Sequence, residues 1–430
     1  MRSRIGRRGP LEAPAAASLE GAFLNERDGI IMHTLERPST LSAEDAPPLA
    51  PATQPAIHLP HRLTEGLRRA GVRINGAQPW DIRIRDQRVT TAVRRHGLTG
   101  LGEAYINGWW ECDAIDNLFC RLLRASIPAL FRNHPHVVRT HLLAALFNQQ
   151  TPPASKRQIH AHYDTGADVF SRILDPRMTY SCGYWRDAST LAEAQEQKLD
   201  LVCRKLGLKP GMRVLDIGCG WGSWVKFAAE RYGVHAVGVT LSREQAAFAR
   251  QNCAELNVEI KLQDYRTLEG RFDRIASIGM FEHVGPKNYV HYMDVARRCL
   301  DDDGLFVLHT FAAGDRMGRR NHSEVEWINR HIFPGLVVPS LGQIGRAIDG
   351  RFVVEDLHNF GADYDPTLLA WHENFEQAWP ALRSHYDERF RRIWRYYLLS
   401  CAGAFRSRVY QVWQLVLTKS GVPGGYPSVR

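Results

Sequence analysis

Residues 214–222 read "VLDIGCGWG". An apolar run ends at Asp216. Glycines then fall at 218, 220 and 222, and "SWVKFAAERY" takes up a helical period. Glycine adopts left-handed backbone without strain and lets a ligand approach the main chain, so a strand, glycine loop and helix in this order form a binding element. Working outward, the helix-like "LAEAQEQKLDLVCRKLG" leads into strand "MRVLDIG". After the loop come strand "HAVGVTL", helix "SREQAAFARQNCAEL", strands "VEIKLQD" and "RFDRIASIG", helix "PKNYVHYMDVARRCL" and strand "GLFVLHTF". Strands alternating with helices predict an α/β fold, a doubly wound parallel sheet with helices on both faces. The late strands "FVVEDLHNF" (352–360) and "VYQVWQLVLTK" (409–419) complete it.

Three readings compete for the loop: an ordinary strand–helix turn, a dinucleotide site of GxGxxG type, and a nucleoside site of another kind. The spacing is GxGxG with an acidic residue ahead of it, which resembles the S-adenosylmethionine loop of class I methyltransferases. The next strand ends "VGVTLSREQ", so Thr240, Leu241, Ser242 and Gln245 stand where many such enzymes place an acid for the ribose hydroxyls. "LQDYR" ends the third strand. There Gln263 precedes Asp264, a candidate acceptor for the adenine amino group, and Tyr265, which would pack on the ring.

The chain has 430 residues, more than one core usually serves, and two domains are expected. Residues 1–60 are rich in Pro, Ala and Arg without periodicity and read as a disordered extension. Residues 61–150 read as a small, mainly helical domain. It includes "HRLTEGLRRAGV" ended by Gly71, the alternating "PWDIRIRD" and the helical "HVVRTHLLAALFNQQ". "QTPPASKRQ" suggests a linker over 151–160. The catalytic domain would span 161–421 and leave 422–430 as a tail.

A net charge of +9 suits an anionic partner such as a nucleic acid or a membrane surface. Eight cysteines without a CxxC pair suggest a reduced, cytoplasmic protein with no zinc site. No apolar run approaches the roughly 20 residues of a membrane span.

"MTYSCGYW" (178–185), "GMFEHVGPKNY" (279–289), "HNFGADYDPTLLAWHENF" (358–375), "YYLLSCAGAFRSRVYQVWQ" (396–414) and "LGEAYINGWWECD" (101–113) decide which methyltransferase this is. Together they closely resemble the cyclopropane-fatty-acyl-phospholipid synthase family, over residues 61 to 421. The resemblance implies methyl transfer from S-adenosylmethionine to a cis double bond of a phospholipid acyl chain, then proton loss and ring closure. It implies a bound bicarbonate as base, cradled by Cys182, Glu282, His309, Tyr364 and the backbone near Phe311. It adds Cys401 as a cysteine associated with activity. The implied cofactor contacts are Tyr180, Ser181, Asp216, Gly218, Cys219, Gly220, Gly222, Thr240, Leu241, Ser242, Gln245, Gln263, Asp264 and Tyr265. The implied partner is unsaturated phospholipid at a membrane surface, and the family is often a homodimer.

The residue types suit that chemistry. An alkene is a poor nucleophile, so catalysis is mostly positioning, and aromatic faces stabilise the developing positive charge. Glu282 can accept from the OH of bicarbonate, with His309 and Tyr364 donating to its other oxygens. His283 reads as structural beside Glu282, and Cys182 and Cys401 also read as inert buried thiols. Phe311 stands where the family pattern has a smaller aliphatic residue, which would narrow the site. Three alternatives share these features: a relative that stops at a methyl branch or methylene, a non-catalytic lipid-binding relic, and an RNA methyltransferase. The last is opposed by "GMFEHVG" where an Asn/Asp-Pro-Pro-aromatic motif would be expected.

Overall fold

The glycine loop joins the first parallel strand of a seven-stranded sheet. In a computed structural model, which describes residues 61–131, 148, 150–155, 167–313 and 322–430, the sheet order is β5-β4-β3-β6-β7-β9-β8. The strands are β3 (Arg213–Ile217), β4 (His235–Thr240), β5 (Val258–Leu262), β6 (Phe272–Ile278), β7 (Leu300–Ala313), β8 (Val353–Asn359) and β9 (Tyr410–Thr418). Strands β3 to β7 pair in parallel, while β9 lies antiparallel between β7 and β8. The chain leaves β3 for β4 on one side and later crosses to β6 on the other. The carboxyl ends of β3 and β6 therefore flank the crevice where open α/β sheets bind ligands.

The flanking helices follow their local signals. Helix α5 (Leu191–Lys205) starts in a capping box: Thr190 Oγ1 accepts from the Glu193 N–H, and the Glu193 carboxylate accepts from the Thr190 N–H. Helix α6 (Ser223–Tyr232) follows the glycine loop, and α7 (Arg243–Asn252) is capped by Ser242. Helix α8 (Tyr289–Cys299) precedes β7, and α9 (His322–His331) and α10 (Leu341–Ile348) follow it. Between β8 and β9 run α11 (Tyr364–Leu382) and α12 (Glu388–Arg406).

Ahead of the sheet lie α1 (His61–Ala70), α2 (Arg88–Ile106), α3 (Ile115–Arg124) and α4 (Ala167–Ile173). The alternating "PWDIRIRD" gives only a two-residue strand β1 (Arg83–Ile84), paired with β2 (Trp110–Glu111). The expected extension over 1–60 lies outside the described residues. So do most of the helix expected over 136–150 and the second half, 156–160, of the linker expected over 151–160.

The described residues all belong to one compact unit, and the first three helices share its core. Tyr105 of α2 stacks on Tyr396 of α12 with ring centroids 5.4 Å apart. Phe119 of α3 meets the same ring at 5.4 Å, and Trp327 of α9 at 4.5 Å. Gly403 lets α12 and α3 approach: a Cβ there would lie 2.2 Å from the Asp116 carbonyl oxygen. Arg406 ties α12 to Asp116 of α3 at 2.6 Å and to Asp365 of α11 at 2.8 Å. Among the described residues, no helix is long and apolar enough to cross a membrane.

Candidate active site

Two cavities meet at the carboxyl ends of β3 and β6. The first encloses about 1140 Å³ of space free of protein atoms, open mouth included, and runs over the glycine loop. Gly218 turns at φ 90°, and a Cβ there would meet Met280 Cβ and Cγ at 2.7 and 2.6 Å, so only glycine keeps this wall open. The loop closes back on the sheet, where the Gly218 and Cys219 N–H groups donate to the Val239 carbonyl at 3.0 and 2.9 Å.

Asp216 borders the same cavity. Its Oδ1 has no partner among the described residues, and burial pushes the carboxyl up to about 7. A zwitterionic nucleoside ligand fits this donor set: an orphaned carboxylate oxygen, an open glycine turn and a polar second strand. On that second strand Thr240 Oγ1 donates to Gln245 Oε1 at 2.9 Å, which puts a neutral pair where an acid was absent.

Of the fourteen cofactor contacts expected, Tyr180, Ser181, Asp216, Gly218, Cys219, Gly220, Thr240, Leu241, Gln245, Gln263 and Tyr265 border this cavity. Three lie behind its wall. Ser242 caps α7. Gly222 begins α6, where a Cβ would come within 2.8 Å of the Ala249 Cβ. Asp264 is engaged by Arg266, whose N–H and Nη1 donate to its oxygens at 2.9 and 2.8 Å. Its carboxylate is thus already held by that turn, and each oxygen keeps a lone pair for a further donor.

The second cavity encloses about 1170 Å³, counted the same way, and is mostly apolar. Phe311, Tyr364, Leu368, Cys401 and Phe405 line it, and Leu98 of α2 and Phe119 of α3 extend its wall into the N-terminal helices. The two cavities share Tyr180, Ser181, Gly279 and His283. Tyr180 is held there by Tyr397, with the two hydroxyl oxygens 3.0 Å apart.

The expected cradle assembles around the second cavity. Cys182, His309, Phe311 and Tyr364 border it. Glu282, fully buried on the turn after β6, stands just behind: its Oε1 accepts from the Phe311 N–H at 2.7 Å. Its Oε2 has no partner among the described residues, the nearby Thr310 hydroxyl donating instead to the Phe311 carbonyl at 3.1 Å. Burial pushes Glu282 up to about 7. The Phe311 N–H, expected to face an anion, is thus occupied by Glu282. The Phe311 ring does border the cavity, 6.4 Å from Tyr364 between centroids.

His309 pairs in register with Gln414, whose Nε2 donates to Nδ1 at 3.2 Å. Burial holds this imidazole well below its ordinary value, so it is neutral and its single proton sits on Nε2. Burial likewise keeps Cys182 a thiol and Tyr364 a phenol, both well above their ordinary values. Cys182 Sγ donates to the Gly183 carbonyl at 3.2 Å. Cys401 lies half-buried on α12, on the wall of the apolar cavity.

His283 and Lys198 are among the bordering residues that were not foreseen. His283, expected to be structural, borders both cavities, and burial lowers it to about 4. Lys198 borders the first cavity from α5. Its signal was a lysine on the apolar face of that helix, one turn after Gln195.

An open α/β sheet of this order, with this glycine loop and crevice, defines a class I S-adenosylmethionine-dependent methyltransferase. The family model described as mycolic acid cyclopropane synthetase matches residues 150–415. The chain is 49% identical over 367 residues to the cyclopropane-fatty-acyl-phospholipid synthase of Escherichia coli strain K12, covering 85% of this chain and 94% of that one. It is 33% identical over 391 residues to the tuberculostearic acid methyltransferase UfaA1 of Mycobacterium tuberculosis, covering 86% and 90%. Among solved structures it is similar to the cyclopropane synthase MmaA2 from Mycobacterium tuberculosis, with TM-score 0.59 and 33% identity over 63% of this chain and all of that one. It is also similar to mycolic acid cyclopropane synthase CmaA1 complexed with SAH and CTAB, with TM-score 0.58 and 35% identity over 61% and 98%. The chain belongs to the mycolic acid cyclopropane synthetase family and is an S-adenosylmethionine-dependent enzyme.

Proposed function

We propose that this enzyme converts the cis double bond of a phospholipid acyl chain into a cyclopropane ring. The observation that carries this reading is the meeting of the glycine-loop cavity and a more apolar cavity across Tyr180, Ser181, Gly279 and His283. When bound, S-adenosylmethionine supplies an electrophilic methyl group. Asp216, the 218–220 turn, Thr240 and Gln245 would hold it, and the apolar cavity would hold the acyl chain. Tyr180 and Tyr364 line that cavity, and their aromatic rings would favour the positive charge that develops on the chain. The apolar walls exclude water that would otherwise trap the charge.

Ring closure needs a base that the sulfonium does not alkylate. Bicarbonate suits the residues present: His309 offers an Nε2 proton, Tyr364 a hydroxyl, and Glu282 Oε2 an unused acceptor. Cys182 and Tyr364 stay protonated, so neither competes for the methyl group. The net charge of +9 favours approach to an anionic membrane surface, where the substrate resides.

The test is to incubate the purified protein with liposomes of cis-unsaturated phospholipid, S-adenosylmethionine and bicarbonate. The released fatty acids are then identified by mass and proton NMR. A chain heavier by one methylene with high-field ring protons is the expected product. A methyl-branched or methylene product would overturn ring closure and keep the methyl transfer, and modification of RNA instead would overturn the lipid reading.

A further inference from the structure

Lys198 is fully buried, and the reaction as described gives it no task. Its Nζ donates to Ser181 Oγ at 2.8 Å. One helical turn earlier, Gln195 Nε2 donates to the Ser181 carbonyl at 2.7 Å. Helix α5 therefore grips Ser181 at two points, and Ser181 is one of the four residues shared by both cavities. The neighbouring carboxylates do not neutralise the lysine by contact. Asp175 accepts from the backbone of Thr179 and Arg177 at 2.8 and 3.0 Å. Asp216 makes no hydrogen bond to Lys198, although both border the nucleoside cavity. A buried ammonium without an anion at contact is costly, and the site must offset it.

The direction of the hydrogen bond follows from donor and acceptor chemistry. An ammonium has three protons and no lone pair, so Ser181 Oγ must accept from it. The serine hydroxyl then has its own proton to donate elsewhere, and its oxygen stands in the field of a positive charge. On the cofactor, the group that such a polarised donor selects is the carboxylate of the amino-acid end. We propose that Lys198 is a positioning residue that fixes the Ser181 hydroxyl as donor to the carboxylate of S-adenosylmethionine. This rests on the reading of the first cavity as the cofactor site. Burial lowers Lys198 to about 8, which leaves it mostly protonated at neutral pH and so still a donor.

The test compares two ligands by calorimetry on the full-length protein: S-adenosylhomocysteine, which carries the amino-acid end, and 5′-methylthioadenosine, which lacks it. Lys198→Met and Ser181→Ala are each expected to weaken S-adenosylhomocysteine binding by about tenfold to a hundredfold, the worth of a hydrogen bond to a charged group. Binding of 5′-methylthioadenosine should change less than about twofold in each. The double variant should lose little more than either single one, because the lysine acts through the serine.

If Lys198→Met weakens both ligands equally, or if the two losses add, the lysine only supports the fold and the inference fails. If Lys198→Met does not fold, Ser181→Ala still decides, since it must reproduce the split between the ligands. A wild-type protein that binds neither ligand would overturn the cofactor reading itself, and the inference with it. Wild-type binding that both variants retain would overturn the inference alone.

Discussion

Replacing Glu282 by Gln should make the ligand-free protein more stable and the enzyme nearly inactive. Glu282 is fully buried with one oxygen unpartnered, and burial raises its pKa from 4.5 to about 7. The folded chain thus binds this proton more tightly than the unfolded chain does. Whatever stability this gives is present below pH 4.5 and lost as the pH rises through about 7. At about 1.4 kcal/mol per pH unit, that rise amounts to about 3 kcal/mol at alkaline pH. Gln carries no charge and still offers an oxygen to the Phe311 N–H. For a folded unit of this size, an unfolding entropy of about 2 cal/mol/K per residue converts about 3 kcal/mol into about 4 °C.

Scanning calorimetry of wild type and Glu282→Gln at pH 5 and pH 8.5, without ligands, measures this directly. The melting temperatures should nearly coincide at pH 5, and the variant should melt about 4 °C higher at pH 8.5. Turnover in the liposome assay should fall by about a hundredfold or more, as for loss of a group that serves proton transfer. A variant that melts lower than wild type at pH 8.5, or by the same margin at both pH values, would refute the reasoning. The carboxylate would then have a partner that the described residues do not include.

Other perturbations test other parts of the site. Gly218→Ala puts a Cβ into Met280 at a φ of 90°, and it should weaken S-adenosylhomocysteine binding by about tenfold or more in a calorimetric titration. Tyr364→Phe keeps the ring packed against Phe405 and removes one donor. It should lower turnover by about tenfold to a hundredfold while leaving the apparent affinity for S-adenosylmethionine unchanged in steady-state kinetics. Arg430→Ala removes the fork that grips both oxygens of Asp356 at 2.6 and 2.8 Å beside the buried Lys205. It should cost about 1–2 kcal/mol of stability, read as a lower melting temperature at pH 7.

The fold was legible in the sequence because its signals are local. "SWVKFAAERY" is helical over the residues that its period marked, and the strand ahead of it ends where the glycines begin. The cavity-facing part of the cofactor loop was legible for the same reason. Side-chain direction was not. Asp264 follows its strand as an adenine-binding acid would, and nothing in the strand pattern shows that Arg266 two residues later holds it. His283 sits beside Glu282, but the tight turn sends the two side chains to different surroundings, the histidine to the cavity junction and the glutamate behind it. The role of Leu98 and Phe119 as cavity wall was also hidden. It depends on α2 and α3 docking against helices more than two hundred residues away, and no periodicity records that.

The sheet and the crevice are common property of the fold. A coclaurine N-methyltransferase shares the fold with only 20% identity, at TM-score 0.61 over 75% of this chain. The sheet ends form the crevice and leave the acceptor undetermined. What sets this chain's acceptor is added around them: α9, α11 and α12, with α2 and α3 packed against them, close an apolar cavity onto the crevice. Its polar groups are kept neutral by that closure, since burial holds His309 unprotonated and Tyr364 and Cys182 protonated. Neither the thiol nor the phenol of this cavity is ionised to meet a sulfonium. On the proposed reading, the proton lost in ring closure passes to a small acceptor held by hydrogen bonds, a task that the unpartnered oxygen of Glu282 would support.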